Sequence, residues 1–461
     1  MPAVRPPTPF GPAPSRRQLH WHQLEFYGLV NFTLNTFTGQ ESGYGDESPA
    51  AFNPECFDAG QIADAARIAG MAGLILTCKH HDGFCLWPSR FTHHSVRHSP
   101  WRNGRGDLVK ELAAACHGQG LRFGVHLSPW DRNHPDYGRP GYLAYYRNQL
   151  HELLADYGPL FEIWFAGGTG GDGYYGGARE RRTIAQASYY GWEETWKLAR
   201  LLQPEAVLSS AAGPDVRWVG NGEGDPGEPG WSRRGAAEFA PGPAAAAGPE
   251  SRWLPAECEL SLRPSWFHHP AEDDKLRSPE KLEDLYFRSV GQGAALLLNL
   301  APDRRGLIPA GDVAVLQEFR RRLDARFATN LARMARIQAS NVRGDDPCFS
   351  PERVADAHPE SYWCSDDAAP APEIIFDFPI PVKIATVSLR EHLPLGQRVE
   401  RFAVDRWDGE GWAEVATGGA IGARRLLRLP PCETPRLRLR ILQAAACPAI
   451  EQVGLYAPPA A

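Results

Sequence analysis

Residues 161–177 read FEIWFAGGTGGDGYYGG, and this stretch indicates where a buried strand ends at a site. Its apolar first part runs to Phe165 and changes to glycine after Ala166. An apolar run that ends in glycine is typical of a parallel strand buried on both faces, followed by backbone that a ligand can approach closely. Catalytic side chains of parallel α/β folds lie at such strand ends. Here that position belongs to Ala166, whose methyl group cannot act as an acid, base or nucleophile.

Apolar strand patterns and amphipathic helix patterns alternate on both sides of this stretch. The alternation predicts a parallel sheet, and the number of strand–helix pairs favours a closed (β/α)₈ barrel over residues 21–334. Residues 335–461 show short alternating strands separated by turns, which predicts a β-sandwich. Residues 1–20 are rich in proline and basic residues and predict an extended arm. The predicted fold class is therefore α/β, a TIM barrel followed by a β-sandwich. Residues 220–252 are rich in Gly, Pro and Ala and are predicted to form a mobile loop of the barrel.

Composition excludes several classes of partner. A net charge of −6 over 461 residues argues against nucleic acid and anionic membranes as partners. No stretch approaches the ~20 apolar residues of a membrane span. The first residues contain no apolar signal segment, which predicts a cytoplasmic protein, or a periplasmic or secreted one if a leader is missing. The oligomeric state stays open.

Cysteine and histidine usage does not predict a metal or cofactor. Nine cysteines in irregular spacing rule out a complete disulfide framework and contain no CxxC motif. His80 and His81 directly follow a predicted buried strand, and His126 lies in the next one. Imidazoles near carboxylates can bind zinc, but these three have no ligand spacing on one element. We therefore predict no metal and no cofactor.

Several longer phrases of the chain are similar to one known family. LTCKHHDGFCLWPS, LSPWDRNHPDYGRP, GPDVRWVGN and RPSWF resemble the α-L-fucosidases of glycoside hydrolase family 29, most closely the branch that cleaves α-1,3/4-linked fucose. The resemblance runs from about Arg17 to Ala335, and the tail resembles a galactose-binding-like sandwich. It implies a TIM barrel that acts on terminal fucose, or a related sugar, of a glycan, with no cofactor.

The resemblance also locates the residues that would catalyse the reaction, and this chain departs from them. The family's nucleophile is the Asp of a W-F-D-G motif, where this chain has Ala166. The acid/base of this branch is the Glu of W-V-G-N-E, where Gly222 stands and Glu223 follows one residue later. Retaining hydrolysis requires two carboxyl groups about 5–5.5 Å apart. The remaining catalytic candidates are Glu223 and Glu257, either of which could be the acid, and Asp172, the carboxylate nearest in sequence to the vacant nucleophile position.

The resemblance further implies a set of sugar-binding residues. His80 and His81 resemble the clamp on the sugar hydroxyls, and Glu41 resembles a hydroxyl acceptor. Arg263 and Trp266 resemble the floor of the pocket. The full predicted set is Asn31, Glu41, His80, His81, His126, Trp130, Trp164, Arg263 and Trp266. For Glu41 and Glu223, the alternative interpretation is a solvated acid in a loop. For Trp130, it is a residue that only shapes the pocket wall.

Two functions remain from the sequence. One is a glycoside hydrolase of the α-L-fucosidase family with a rearranged catalytic apparatus. The alternative is a non-catalytic pseudo-enzyme that binds a fucosylated or related glycan on the same fold. Several changes around one pocket, in an otherwise intact scaffold, favour natural divergence over an engineered inactive variant.

Overall fold

The computed structural model describes residues 4–165, 168–210, 213–228, 230–234, 251–356 and 358–459. Ala166 lies outside the described residues, as does most of the loop predicted to be mobile. The statements below concern the described ranges.

The barrel part of the chain alternates strands and helices. Its strands are β1 (Phe26–Val30), β2 (Gly73–Lys79), β3 (Arg122–Leu127), β4 (Glu162–Phe165), β5 (Gly170–Gly173), β6 (Glu180–Thr183), β7 (Val207–Ser210), β8 (Arg217–Val219), β9 (Arg233–Arg234), β10 (Arg252–Trp253), β11 (Ala256–Ser261) and β12 (Ala295–Leu300). Its helices are α1 (Arg16–His22), α2 (Leu34–Thr38), α3 (Ala59–Ala69), α4 (Leu108–Gly118), α5 (Gly141–Asp156), α6 (Gln186–Tyr189), α7 (Trp192–Leu202), α8 (Pro279–Ser289) and α9 (Ala310–Arg326).

Eight of these strands form one parallel sheet in the order β7-β4-β3-β2-β1-β12-β11-β8. A single parallel bridge between Ser209 of β7 and Val216, directly before β8, links the two ends of this order, so the sheet forms the predicted barrel and is nearly closed. β5 and β6 form an antiparallel hairpin outside the barrel. Because all eight barrel strands run the same way, their carboxyl ends meet at one face.

Local sequence explains why the helices begin and end where they do. The Asp58 side chain accepts hydrogen bonds from the backbone N–H groups of Gly60 and Gln61 and starts α3. Gly70, with φ of 76°, ends the same helix in the left-handed region. The buried face of α3, which includes Ile62, packs on the barrel strands.

The amino-terminal segment contains a helix where the sequence predicts an extended arm. Ser15 and Gln18 form a capping box, each side chain bonding to the other residue's backbone N–H, and α1 follows. The Gln18 amide also donates to the carbonyl oxygens of Asp215 and Trp253, at 2.8 and 3.0 Å. The capping box therefore starts a helix directly after the proline-rich residues, within the segment predicted to be an extended arm.

The carboxyl-terminal part is a β-sandwich, as predicted. Its strands are β13 (Arg336–Ala339), β14 (Trp363–Cys364), β15 (Glu373–Glu391), β16 (Val399–Trp407), β17 (Trp412–Gly418), β18 (Arg425–Ala444) and β19 (Ala449–Tyr456). They pair antiparallel in the order β14-β19-β15-β18-β16-β17, and β13 pairs with β15. Register shifts along β15 and β18, the two longest strands, bend both of them. Each of these strands therefore contributes to both layers of the sandwich, around a common apolar core.

Ion pairs connect the sandwich to the barrel. The Glu25 carboxylate, just before β1, accepts hydrogen bonds from Arg390 and Arg424 of the sandwich. These charges hold the pKa of Glu25 below its ordinary value although burial raises it.

Within the described ranges, no helix is long and apolar enough to cross a membrane. Each of the nine cysteines is a free thiol.

Candidate functional site

A cavity of about 460 Å³ opens at the carboxyl ends of the barrel strands. Its volume lies in the range of small-molecule sites, which is about 300–1,000 Å³. The described residues that line it come from seven of the eight barrel strands or from the segments after them, and most are polar or aromatic: Leu29, Asn31, Glu41, Ser42, His80, His81, His126, Trp164, Gly168, Gln186, Ser209, Ser210, Trp218, Glu259 and Trp266. Such a mixture of flat rings and hydrogen-bonding groups suits a ring of hydroxyl-bearing carbons.

Two adjacent imidazoles form one wall of the cavity. The His80 and His81 rings lie 4.2 Å apart, directly after β2. His81 Nδ1 is 2.7 Å from Ser128 Oγ, and His80 Nδ1 is 3.2 Å from Asn35 Nδ2. Burial lowers the pKa of His81 to about 3 and that of His80 well below its ordinary value. Both rings are therefore neutral at physiological pH, so each can donate and accept a hydrogen bond.

A buried ion pair supports this wall from below. The Lys79 ammonium donates to Asp131 Oδ2 at 2.9 Å and to Gln149 Oε1 at 2.9 Å, and both ionic side chains are almost fully buried. Asp131 also accepts the backbone N–H groups of Asn133 and His134. Because Lys79 precedes the His pair, the ion pair fixes the strand end that presents both rings.

A chain of polar side chains crosses the floor of the cavity. Asn31 Nδ2 donates to Asn299 Oδ1 at 2.9 Å, and the Thr77 hydroxyl donates to Asn31 Oδ1. Thr77 Oγ1 also lies 3.2 Å from His126 Nδ1. The His126 ring packs edge-on against Trp164, with ring centroids 4.6 Å apart. The floor is thus held in one arrangement by residues of four different strands.

Glu259 is the carboxyl group that lines the deep part of the cavity. It is on β11, is only 6% exposed, and accepts a hydrogen bond from Trp218 Nε1 at 2.8 Å through Oε2. Burial, together with the negative charge of Glu257, raises the pKa of Glu259 to about 8, although the bond from Trp218 lowers it. A carboxyl group with this pKa is mostly protonated at neutral pH and can donate a proton.

The raised pKa of Glu259 makes stability depend on pH. The unfolded state releases this proton near pH 4.5 and the folded state near pH 8, so the free energy of unfolding falls as pH rises between these values. We expect Glu259→Gln to lack this fall, which amounts to at most about 5 kcal/mol. Urea denaturation at pH 5 and pH 8.5 measures it.

Asp82 serves as the internal control for that comparison. Burial raises the pKa of Asp82 to about 8 as well, so it contributes the same pH dependence to the wild type and to the variant. Equal slopes in the two proteins would contradict a protonated Glu259 at neutral pH.

Glu257, two residues earlier on β11, lies below the cavity and does not line it. Tyr27 donates to its Oε1 at 2.6 Å, and Trp164 Nε1 and Ser209 Oγ donate to its Oε2 at 2.9 and 3.2 Å. Burial raises the pKa of Glu257, and burial with the nearby Glu257 charge raises that of Glu162. Glu257 thereby orients two residues of the cavity wall, Trp164 and Ser209.

Glu41 belongs to the rim of the cavity. Its carboxylate accepts the Trp266 backbone N–H at 2.9 Å and lies 2.8 Å from His269 Nε2. This contact joins the loop after β1 to the loop after β11. Glu41 therefore anchors the Trp266 ring at the mouth of the cavity, and it is not a fully solvated loop acid.

The other two predicted catalytic candidates lie away from the cavity wall. Asp172, on β5, is 61% exposed and pairs with Arg181 at 3.3 Å. Glu223 is 64% exposed and lies 3.5 Å from Arg288. Gly222 is exposed and has φ of 70°, with no atom near the position of an added Cβ. The structure does not bring these residues together with the cavity.

Two predicted binding residues also take other positions. The Arg263 guanidinium is buried and donates two hydrogen bonds to Asp312, at 2.6 and 2.9 Å, and one to Asp273. It does not line the cavity. Trp130 lies behind the wall, with its ring centroid 4.9 Å from that of His81, and donates to the Tyr175 hydroxyl.

Glu259, Trp218, Ser209 and Ser210 line the cavity but are not among the residues predicted from the sequence. The signal for Glu259 is present: PAECELS places a second glutamate two residues after Glu257 in an otherwise buried strand. Residues i and i+2 of a strand face the same side, so two acids at this spacing point into the barrel at successive depths. In the described part of the chain, no cluster of His, Cys, Asp or Glu could hold a metal ion.

Comparison with known proteins agrees with this fold and site. A family model described as alpha-L-fucosidase matches residues 15–325. Alpha-L-fucosidase 1 of Arabidopsis thaliana is 38% identical, over 98% of this chain and 88% of that protein. A glycoside hydrolase 29 family member from an unknown rumen bacterium superposes with a TM-score of 0.87 at 38% identity, over 98% of this chain and 78% of that one. A Ruminococcus gnavus fucosidase in complex with fucose superposes with a TM-score of 0.89 at 29% identity, over 99% and 97%.

The parallel barrel, its polar and aromatic cavity and these matches together place the chain among the glycoside hydrolases. Within this class, the chain belongs to the α-L-fucosidase family, glycoside hydrolase family 29.

Proposed function

We propose that the chain binds the terminal α-L-fucosyl unit of a glycan in the barrel cavity and hydrolyses its glycosidic bond. The main support is the cavity itself, which combines indole and imidazole rings with one buried carboxyl group, Glu259, whose pKa is raised to about 8. Family membership points to fucose as the sugar, and the Ruminococcus gnavus relative holds fucose. The neutral His80 and His81 rings are suited to hydroxyl groups, and Trp164 to an apolar face of the ring.

The residue at position 166 restricts the mechanism. A retaining glycosidase needs a carboxylate that attacks the anomeric carbon, and the alanine there has none. We infer that water attacks this carbon directly, in a single displacement that inverts its configuration. Inverting enzymes leave room for that water beside the sugar.

This mechanism makes a prediction about the product. With fucosylated oligosaccharides, we expect β-L-fucose as the first product seen by proton NMR, before mutarotation produces the α-anomer. A panel of fucosides and galacto-configured glycosides tests the sugar. The α-anomer as first product would contradict attack by water, and no release from any substrate would contradict hydrolysis.

A second candidate function is glycan binding without cleavage. It is favoured by the alanine at position 166 and by the location of Asp172 and Glu223, whose carboxylates are exposed and outside the cavity wall. Saturable broadening of fucose signals with no released sugar would support this function over hydrolysis.

A further inference from the structure

We infer that Glu259 is the catalytic proton donor, so that the acid of this site is on barrel strand β11 rather than in the glycine-rich loop. This inference rests on the proposed function. It concerns which residue protonates the leaving oxygen, and it begins from the position of the Glu259 side chain in the cavity.

The contacts of Glu259 leave one oxygen available to a substrate. Oε2 accepts the Trp218 N–H, whereas Oε1 has no hydrogen-bond partner among the described residues. Glu259 lines the cavity together with Trp164 and Trp218, so its side chain borders the space that a sugar would fill. The bond from Trp218 restrains the carboxyl group and leaves Oε1 outside that contact.

The alternatives among the described carboxyl groups are less suitable. Glu41, which also lines the cavity, is fixed at the rim by Trp266 and His269. Glu257 has its oxygens occupied by Tyr27, Trp164 and Ser209, below the cavity. Glu223 is exposed on the loop beyond β8.

The chemical step balances with water as the only co-reactant. The bond between C1 and the leaving oxygen breaks, and its electron pair goes to that oxygen, which takes the proton of Glu259. The oxygen of a water molecule forms the new bond to C1 and releases a proton to solvent. The Glu259 carboxylate then takes a proton from solvent and returns to its starting state.

The test compares kcat/KM of the wild type and Glu259→Gln on two substrates that differ in their leaving groups. We expect Glu259→Gln to reduce kcat/KM at least ~100-fold on a fucosylated oligosaccharide, whose leaving alcohol needs a proton. On 2,4-dinitrophenyl α-L-fucoside, whose leaving group departs without a proton, we expect a loss below ~10-fold. A merely structural role would lower both rates alike. Glu352→Gln, an exposed residue of the sandwich, is the matched control.

The pH profile of kcat/KM supplies a second readout. The wild type should lose activity above about pH 8, which gives its profile a basic limb. Glu259→Gln should lack this basic limb. Trp218→Phe removes a donor that favours the carboxylate, so the limb should move to higher pH. Glu257→Gln removes a negative charge, so the limb should move to lower pH. The other titratable groups of the cavity, which these variants leave in place, are Glu41, His80, His81 and His126.

A failure of this inference can be distinguished from a failure of the proposed function. If the wild type hydrolyses fucosides and Glu259→Gln keeps its rate on both substrates, the inference is overturned and the proposed function stands. A wild type that binds fucose by calorimetry without cleaving it overturns the inference and reduces the function to binding. A wild type that neither binds nor cleaves overturns both. Should Glu259→Gln fail to fold, the two-substrate comparison is made on Glu259→Asp. The opposite pH shifts expected for Trp218→Phe and Glu257→Gln then test the inference, and no shift in either variant would overturn it.

Discussion

Asp131→Asn is expected to lower the free energy of unfolding by about 3–5 kcal/mol, because it leaves the fully buried Lys79 ammonium without a counter-charge. The asparagine oxygen can still accept the backbone N–H groups of Asn133 and His134. The loss therefore reports the charge and not the loop geometry. Urea denaturation at pH 7 measures it.

The same pair predicts a pH effect. Burial would raise the pKa of Asp131, but the Lys79 ammonium and the His134 contacts hold it below its ordinary value. A lowered folded-state pKa means that this stabilisation is present above about pH 4 and is lost in more acidic solution. Asp131→Asn should lack that acid-dependent contribution. The exposed pair Asp64–Arg67 is the control, and Asp64→Asn should change stability by less than about 1 kcal/mol. A small effect at Asp131 would show that Lys79 finds another partner or loses its proton.

Arg263→Met is expected to destabilise the fold by about 3–5 kcal/mol while leaving the affinity of the folded protein for fucose unchanged. The reason is that Arg263 and Asp312 form a buried two-point ion pair outside the cavity. Removal of the arginine leaves the Asp312 carboxylate buried and unpaired. Thermal unfolding measures the stability, and calorimetry below the transition measures the affinity.

The control for Arg263 again contrasts a buried pair with an exposed one. Arg67→Met removes an arginine from an aspartate pair on the surface, and we expect nearly unchanged stability. A loss of fucose affinity in folded Arg263→Met, with little loss of stability, would restore the sequence prediction that Arg263 is a sugar-binding residue.

Much of the architecture could be predicted because it depends on local patterns. The alternation of apolar strands and amphipathic helices predicted the barrel, and period-two alternation predicted the sandwich. Residues at the carboxyl ends of strands, or directly after them, also had predictable positions, since parallel strands end at one face. Asn31, His80, His81 and Trp164 accordingly lie in the cavity wall. The helix before β1 was missed because its capping box follows a proline-rich segment.

By itself, the sequence determined the barrel with its sandwich, the strand ends that meet at the cavity, and the absence of a carboxylate at position 166. Only the tertiary structure decided which acid faces the cavity. Glu257 and Glu259 have the same local pattern, but their hydrogen-bond partners lie on other strands, Tyr27 and Trp164 for Glu257 and Trp218 for Glu259. Burial and hydrogen-bond partners come from residues distant in sequence, and they are what set a carboxyl group's pKa and therefore its chemistry.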